Sequence, residues 1–83
     1  MKEREVAIGL QLGLHARAAA QLVRLAARYR SEIVLVRDDV RADARSILSI
    51  LLLAARCGAT VQVRAHGADE EEALDKVCEY LSG

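Results

Sequence analysis

Between Arg4 and Ile8 polar and apolar side chains alternate, with Val6 and Ile8 on the same side, as in a strand that buries one face. Gly9 and Gly13 then bracket a short loop that ends at His15. From Ala16 to about Arg28 the period lengthens. Ala19, Leu22, Val23 and Ala26 recur at the spacing of one helix face, while Arg17, Gln21, Arg24 and Arg28 repeat that spacing on the opposite side. The first row predicts a core face. The second predicts a basic stripe that begins beside His15.

Glu32 to Val36 is rich in β-branched residues and predicts a second strand. Arg37-Asp38-Asp39 reads as a turn without the usual glycine, leading to a short partner strand over Val40 to Ala42. Ser46 stands where a second helix, running to about Leu53, needs its N-cap. Gly58 closes that region. Thr60 to Ala65 alternates Val61 and Val63 with Gln62 and Arg64, another half-buried strand pattern of period two. After Gly67, Asp69 and Glu72 have the spacing of a capping box for a last helix, Glu70 to Leu81, with Leu74, Val77, Cys78 and Leu81 on its apolar face. The order βαββαβα predicts an α+β fold: a four-stranded antiparallel sheet with three helices on one face, an open-faced sandwich.

Composition narrows the picture. The chain has 83 residues, so residues 1–83 are read as a single small domain. Its only aromatics are Tyr29 and Tyr80, so Leu, Ile, Val and Ala must build the core. The formal net charge of +0 argues against a dedicated nucleic-acid partner, which calls for a basic excess. Cys57 and Cys78 form neither a disulfide framework nor a metal spacing, and reduced thiols are expected, Cys78 within a helix and Cys57 in a loop. Met1-Lys2-Glu3-Arg4-Glu5 is charged, unlike a secretory leader. The apolar run Ile47 to Ala55 falls far short of the ~20 residues that span a bilayer. The expectation is a cytoplasmic protein without membrane insertion, metal or cofactor.

His15 is the main candidate for chemistry. The first N–H groups of a helix lack intrahelical acceptors and point outward, which makes a helix start an anion site. A neutral imidazole there has a ring nitrogen that can attack a phosphoryl donor. Once phosphorylated, the ring carries negative charge that the helix dipole stabilises. Arg17, close behind, offers a fixed guanidinium that suits a phosphate. The chain shows no Ser-His-Asp arrangement, no His-x-x-x-His and no nucleotide-binding glycine loop. It lacks the parts to activate ATP or water, so a phosphoryl group should arrive from, and leave to, other proteins.

Two further features stand near the second helix. A surface helix needs an apolar stripe only about 100° wide, yet in Ser46 to Ala55 only Ser49 breaks the apolar surface after the N-cap. Ile50 and Leu53 are expected to face inward, with Ile47, Leu48 and Leu51 forming an exposed docking patch. Ser46 caps this helix and is also a candidate phosphorylation site. A phosphate there would add about −2 charge at the edge of the patch and repel an acidic partner without unfolding the protein. His66 reads as a surface residue at a strand end.

Gly13-Leu14-His15-Ala16-Arg17 resembles the phosphorylation-site signature of the HPr family, the histidine-phosphorylated carriers of the bacterial phosphoenolpyruvate-dependent phosphotransferase system. Arg45-Ser46-Ile47, Gly58-Ala59-Thr60-Val61 and Gly67-Ala68-Asp69-Glu70 match in register, and the resemblance covers nearly the whole chain. It implies an HPr-like open-faced β-sandwich. It implies that His15 takes a phosphoryl group on Nδ1 from enzyme I and passes it to an enzyme IIA, with Arg17 neutralising the phosphate. It implies that Ile47, Leu48 and Leu51 dock partners, with Gln21 and Arg24 beside them, and that Ser46 corresponds to the serine modified by HPr kinase/phosphorylase. Three positions depart from the family pattern. Ala18 stands where proline is usual, Ser49 where glycine is common, and Leu52 replaces a small or polar residue. Three other readings carry the same residues: a regulatory HPr-like protein acting through Ser46, a nitrogen-branch carrier with other IIA partners, and an anion-binding module using the Arg17, Gln21, Arg24, Arg28 stripe.

Overall fold

The computed structural model describes residues Met1–Gly83. Its elements are β1 (Lys2–Ala7), α1 (Ala16–Ala26), β2 (Glu32–Arg37), β3 (Val40–Asp43), α2 (Ile47–Leu53), β4 (Thr60–His66) and α3 (Glu70–Leu81). The expected order is thus present. All the strand pairings are antiparallel, in the sheet order β1-β4-β2-β3. The strand nearest the C-terminus therefore lies inside the sheet, flanked by the first and second strands.

Alternation along each strand decides which side chains the helices cover. Ile33 and Leu35 of β2, Ala42 of β3, and Val61, Val63 and Ala65 of β4 are buried. Leu22 and Ala26 of α1, Ile50 and Leu53 of α2, and Leu74, Val77 and Leu81 of α3 close over them. Between these residues on the strands stand Val34, Val36, Gln62 and Arg64, half-buried, on the face without helices. Charge pairing marks the two faces at the β1 edge. Arg4 reaches Asp75 of α3 at 2.8 Å on the helix side, and Glu3 meets Arg64 at 3.2 Å on the open side. The residues of α3 expected to be apolar, Leu74, Val77, Cys78 and Leu81, are all buried. Both cysteines carry free thiols, Cys57 exposed and Cys78 buried, and burial pushes the Cys78 thiol up.

Two local expectations are corrected. The first helix stops at Ala26 and does not run to Arg28: Arg28 and Tyr29 turn their N–H groups to Leu25 and Ala26, three residues back, in a tightened last turn. The capping box at Asp69 and Glu72 does not form. Asp69 makes no side-chain bond to its own helix, because its carboxylate is taken by Ser31 and Arg30 across the fold. Glu70 instead accepts the Gly67 N–H at 3.1 Å. The turn between β2 and β3 manages without glycine because Asp38 adopts the left-handed conformation, φ 54°, which aspartate tolerates better than most residues.

Ser31, the one buried polar residue, shows how β2 is anchored. Its hydroxyl and backbone N–H donate to Asp69 Oδ1 at 2.6 and 2.9 Å, and its carbonyl accepts from Arg45 at 3.3 Å. Gly67 passes so close that a Cβ there would sit 2.7 Å from the Ser31 Cα.

Candidate functional site

The loop from Leu10 to Leu14 is held by backbone contacts that leave His15 free. The Leu14 N–H donates to the Ala55 carbonyl at 2.9 Å, and the Leu14 side chain is buried. Gly13 has φ 70°, and a Cβ on it would lie 2.6 Å from the Ala55 carbonyl oxygen. Only glycine meets both the positive φ and the close approach. This crossing places the segment after α2 directly against the residues that lead into His15.

His15 is the N-cap of α1 and is exposed. Its carbonyl accepts the Ala19 N–H at 2.8 Å, closing the first helical turn. Its side chain turns back over the helix start, where Nδ1 accepts the Arg17 N–H at 3.4 Å. A ring nitrogen that accepts a hydrogen bond presents its lone pair, so the proton of the neutral ring sits on Nε2. Nδ1 is therefore the nitrogen aimed at the positive end of the helix. No acidic side chain lies in the first turn of α1, so nothing on this turn competes with an incoming anion. Ala18, which stands where the family pattern has proline, is buried in the first turn of α1.

The rest of the stripe separates along α1. Arg17, Gln21, Arg24 and Arg28 are all exposed. Gln21 accepts the Tyr80 hydroxyl at 2.6 Å, which ties α1 to α3, and burial raises the Tyr80 pKa. Arg28 shares a groove with Glu72 and Glu79 of α3. The far end of the stripe, Arg28, thus shares its groove with carboxylates. Only its start, at Arg17, adjoins an acid-free helix end, and this disfavours a general anion-binding role for the stripe.

Beyond the loop crossing lies α2. Ser46 caps it, accepting the Ser49 N–H at 3.2 Å. Ile50 and Leu53 face inward, 0% and 1% exposed, whereas Leu48 and Leu52 are each 67% exposed and Ile47 and Leu51 lie beside them. The patch is wider than the sequence pattern suggests. It includes Leu52 on α2, and Leu12, 75% exposed, is a further bare apolar side chain in the His15 loop. Leu12, Leu14, His15, Ala54, Ala55 and Arg56 line one shallow depression of about 220 Å³. Sequence reasoning misses Leu12 and Arg56, and for Arg56 the reason is that only the Leu14–Ala55 crossing brings it to His15. His66 is exposed at the end of β4, distant from this region and 3.9 Å from Glu70.

The whole chain has counterparts among known proteins. The family model described as "PTS HPr component phosphorylation site" matches residues 2–82. The chain belongs to the HPr family. Within it, the chain is similar to the phosphocarrier protein HPr of Cupriavidus necator, 43% identical over 82 residues that make up 99% of this chain and 92% of the relative. It is similar as well to the phosphocarrier protein NPr of Shewanella violacea, 42% identical over 76 residues, 92% of this chain and 84% of the relative. A crystal structure of HPr-C-His from Thermoanaerobacter tengcongensis has the same fold, with a TM-score of 0.92 at 37% identity, covering 98% of this chain and 91% of the other. The HPr-like open-faced sandwich expected from the sequence is therefore the fold, and the chain is a phosphocarrier of the phosphotransferase-system type. No helix is long and apolar enough to cross a membrane.

Proposed function

We propose that this protein is a cytoplasmic phosphoryl carrier that accepts a phosphoryl group on Nδ1 of His15 from phosphorylated enzyme I and delivers it to an enzyme IIA. The observation that carries this reading is the orientation of His15, whose Nδ1 faces the start of α1 and accepts the Arg17 N–H. In the forward step the Nδ1 lone pair attacks phosphorus, the bond from phosphorus to the donor atom breaks, and its electron pair leaves with the donor. The Nε2 proton stays in place. The backbone N–H of Arg17 then has phosphoryl oxygens as acceptors in place of Nδ1, and the helix end favours the new charge. The Arg17 guanidinium supplies a further cation. Delivery to the acceptor reverses these bond changes. The protein carries the group and leaves its activation to its partners.

In this reading Ile47, Leu48 and Leu51 form the docking surface, with Gln21 and Arg24 at its rim. Ser46 is the regulatory position, a substrate for HPr kinase/phosphorylase where that enzyme is present. Its hydroxyl already serves the helix start, and a phosphate there would keep that anion-favouring position while changing the charge beside the patch. The likeness to both an HPr and an NPr is compatible with either a sugar-branch or a nitrogen-branch carrier, which share this chemistry and differ in the IIA served.

Incubation with phosphoenolpyruvate and enzyme I, followed by acid and base treatment, tests the proposal. The expected product is an acid-labile, base-stable phosphate that is lost in His15→Ala. Absence of label, or label that survives His15→Ala, would overturn it.

A further inference from the structure

On the footing of the carrier reading, we infer that Arg56 is a second guanidinium for the phosphoryl group on His15. Arg56 and His15 line the same depression, whose other walls are Leu12, Leu14, Ala54 and Ala55. None of those four side chains can bond a phosphoryl oxygen. Any side-chain donor in the depression other than the ring itself must come from Arg56.

The backbone of Arg56 is fixed there. Gly13 packs so tightly on it that a Cβ at Gly13 would lie 2.9 Å from the Arg56 Cα. The Leu14 N–H bonds the preceding residue, Ala55, and the Arg56 carbonyl accepts the Ala59 N–H, both at 2.9 Å. The guanidinium, by contrast, is uncommitted. The ion pairs of the protein join Met1 to Glu70, Arg4 to Asp75, Arg64 to Glu3 and His66 to Glu70. Other arginines make side-chain hydrogen bonds, Arg37 to the Leu53 carbonyl and Arg45 to Tyr29 and Ser31. Arg56 is exposed and does neither; the same holds for Arg17, Arg24, Arg28, Arg30 and Arg41, but among these only Arg56 lines the depression of His15. A long cation with an anchored stem and no carboxylate partner, beside a histidine with no acidic residue in the adjoining helical turn, is placed for a group that arrives later.

A phosphoryl group brings about two negative charges. Arg17 at the helix start and Arg56 across the depression can meet it from two sides, and each contact is a charge-assisted hydrogen bond. Arg56 would then stabilise the phosphorylated protein over the free one. If it acted only on a docking partner, it would speed or slow transfer in both directions and leave the equilibrium where it was.

That difference supplies the test. Enzyme I catalyses phosphoryl exchange between phosphoenolpyruvate and His15, so the ratio of phosphorylated to free protein at fixed phosphoenolpyruvate and pyruvate depends on this protein alone. Arg56→Ala should lower that ratio roughly tenfold, the size of one hydrogen bond to a charged group. Arg56→Lys should recover part of it. An unchanged ratio in Arg56→Ala, with wild-type protein phosphorylated on His15, would overturn the assignment of Arg56 alone. Wild-type protein that takes no label on His15 would overturn the carrier reading instead. Circular dichroism of both variants checks the fold, and Arg56→Gln replaces Arg56→Ala if the latter is unfolded.

Discussion

Asp69 Oδ1 accepts the Ser31 hydroxyl at 2.6 Å, joining residues 38 positions apart in the chain. The same carboxylate takes the backbone N–H groups of Ser31 and Arg30, each at 2.9 Å. The Ser31 hydroxyl first, then the Arg30 N–H, hold the Asp69 pKa below its ordinary 3.8. Glu70 is lowered from 4.5, first by the Gly67 N–H. Groups with depressed folded-state pKa values add stability that is fully present above their unfolded values and is lost as pH falls through the folded ones. Stability should therefore hold above the ordinary carboxylate range and decline on its acid side. Asp69→Asn should lower the thermal midpoint at pH 7 and reduce the further decline between pH 5 and pH 2. Midpoints measured across that range check it. An Asp69→Asn curve parallel to wild type would show that Asp69 adds nothing to the acid response.

Ser46 and Ser49 make the corresponding relationship in α2. Ser46→Ala removes the oxygen that accepts the Ser49 N–H and should cost about 1 kcal/mol in urea unfolding. Ser46→Asp keeps an acceptor at the cap and puts a negative charge where the helix dipole favours it. Its stability should match wild type to within about 0.5 kcal/mol. If Ser46 is a charge-controlled regulatory position, the same variant should bind enzyme I more weakly. Paired unfolding and binding measurements separate the two effects.

Local periodicity makes much of the fold legible in the sequence. The strands, the helices and the inward set Ile50 and Leu53 follow from spacing alone. Asp69 misleads because its competing partners, Arg30 and Ser31, are distant in sequence and near only after folding. Local capping statistics cannot register such a competitor. Arg56 escapes notice for the same reason, since it looks like an ordinary loop residue until Leu14 pairs with Ala55. His15 is legible because the helix start that gives it meaning is made by its own neighbours. The sheet order, with β4 between β1 and β2, depends wholly on long-range pairing and has no signature within any one strand.

Leu48 tests the docking surface without touching the core. It is 67% exposed, so Leu48→Asp should change stability by no more than about 0.5 kcal/mol. A central apolar anchor of an interface is worth about 2 kcal/mol or more, so binding to enzyme I should weaken by roughly tenfold or more. Phosphorylation of His15 at saturating enzyme I should still occur. Calorimetric titration together with urea unfolding measures both quantities. Unaltered affinity would mean that partners dock elsewhere.

Ala54 ends α2 in the left-handed conformation, with φ 53° and ψ 37°. A residue with a Cβ pays roughly 1–2 kcal/mol for that conformation, and glycine at this helix end does not. Glycine also loses more chain entropy on folding, which offsets about 0.4–1 kcal/mol of the gain. Ala54→Gly should therefore stabilise the protein by up to about 1 kcal/mol, seen as a higher urea midpoint with an unchanged slope. Ala54→Val should do the reverse, because a β-branched residue is a poorer fit to positive φ. Ala54 also lines the depression beside His15, so the glycine variant removes a methyl group from that depression. Phosphorylation of His15 in Ala54→Gly should persist, with any change in rate separable from the gain in stability. A lower urea midpoint for Ala54→Gly would show that the loop after α2 is held by its side-chain packing more than by the turn.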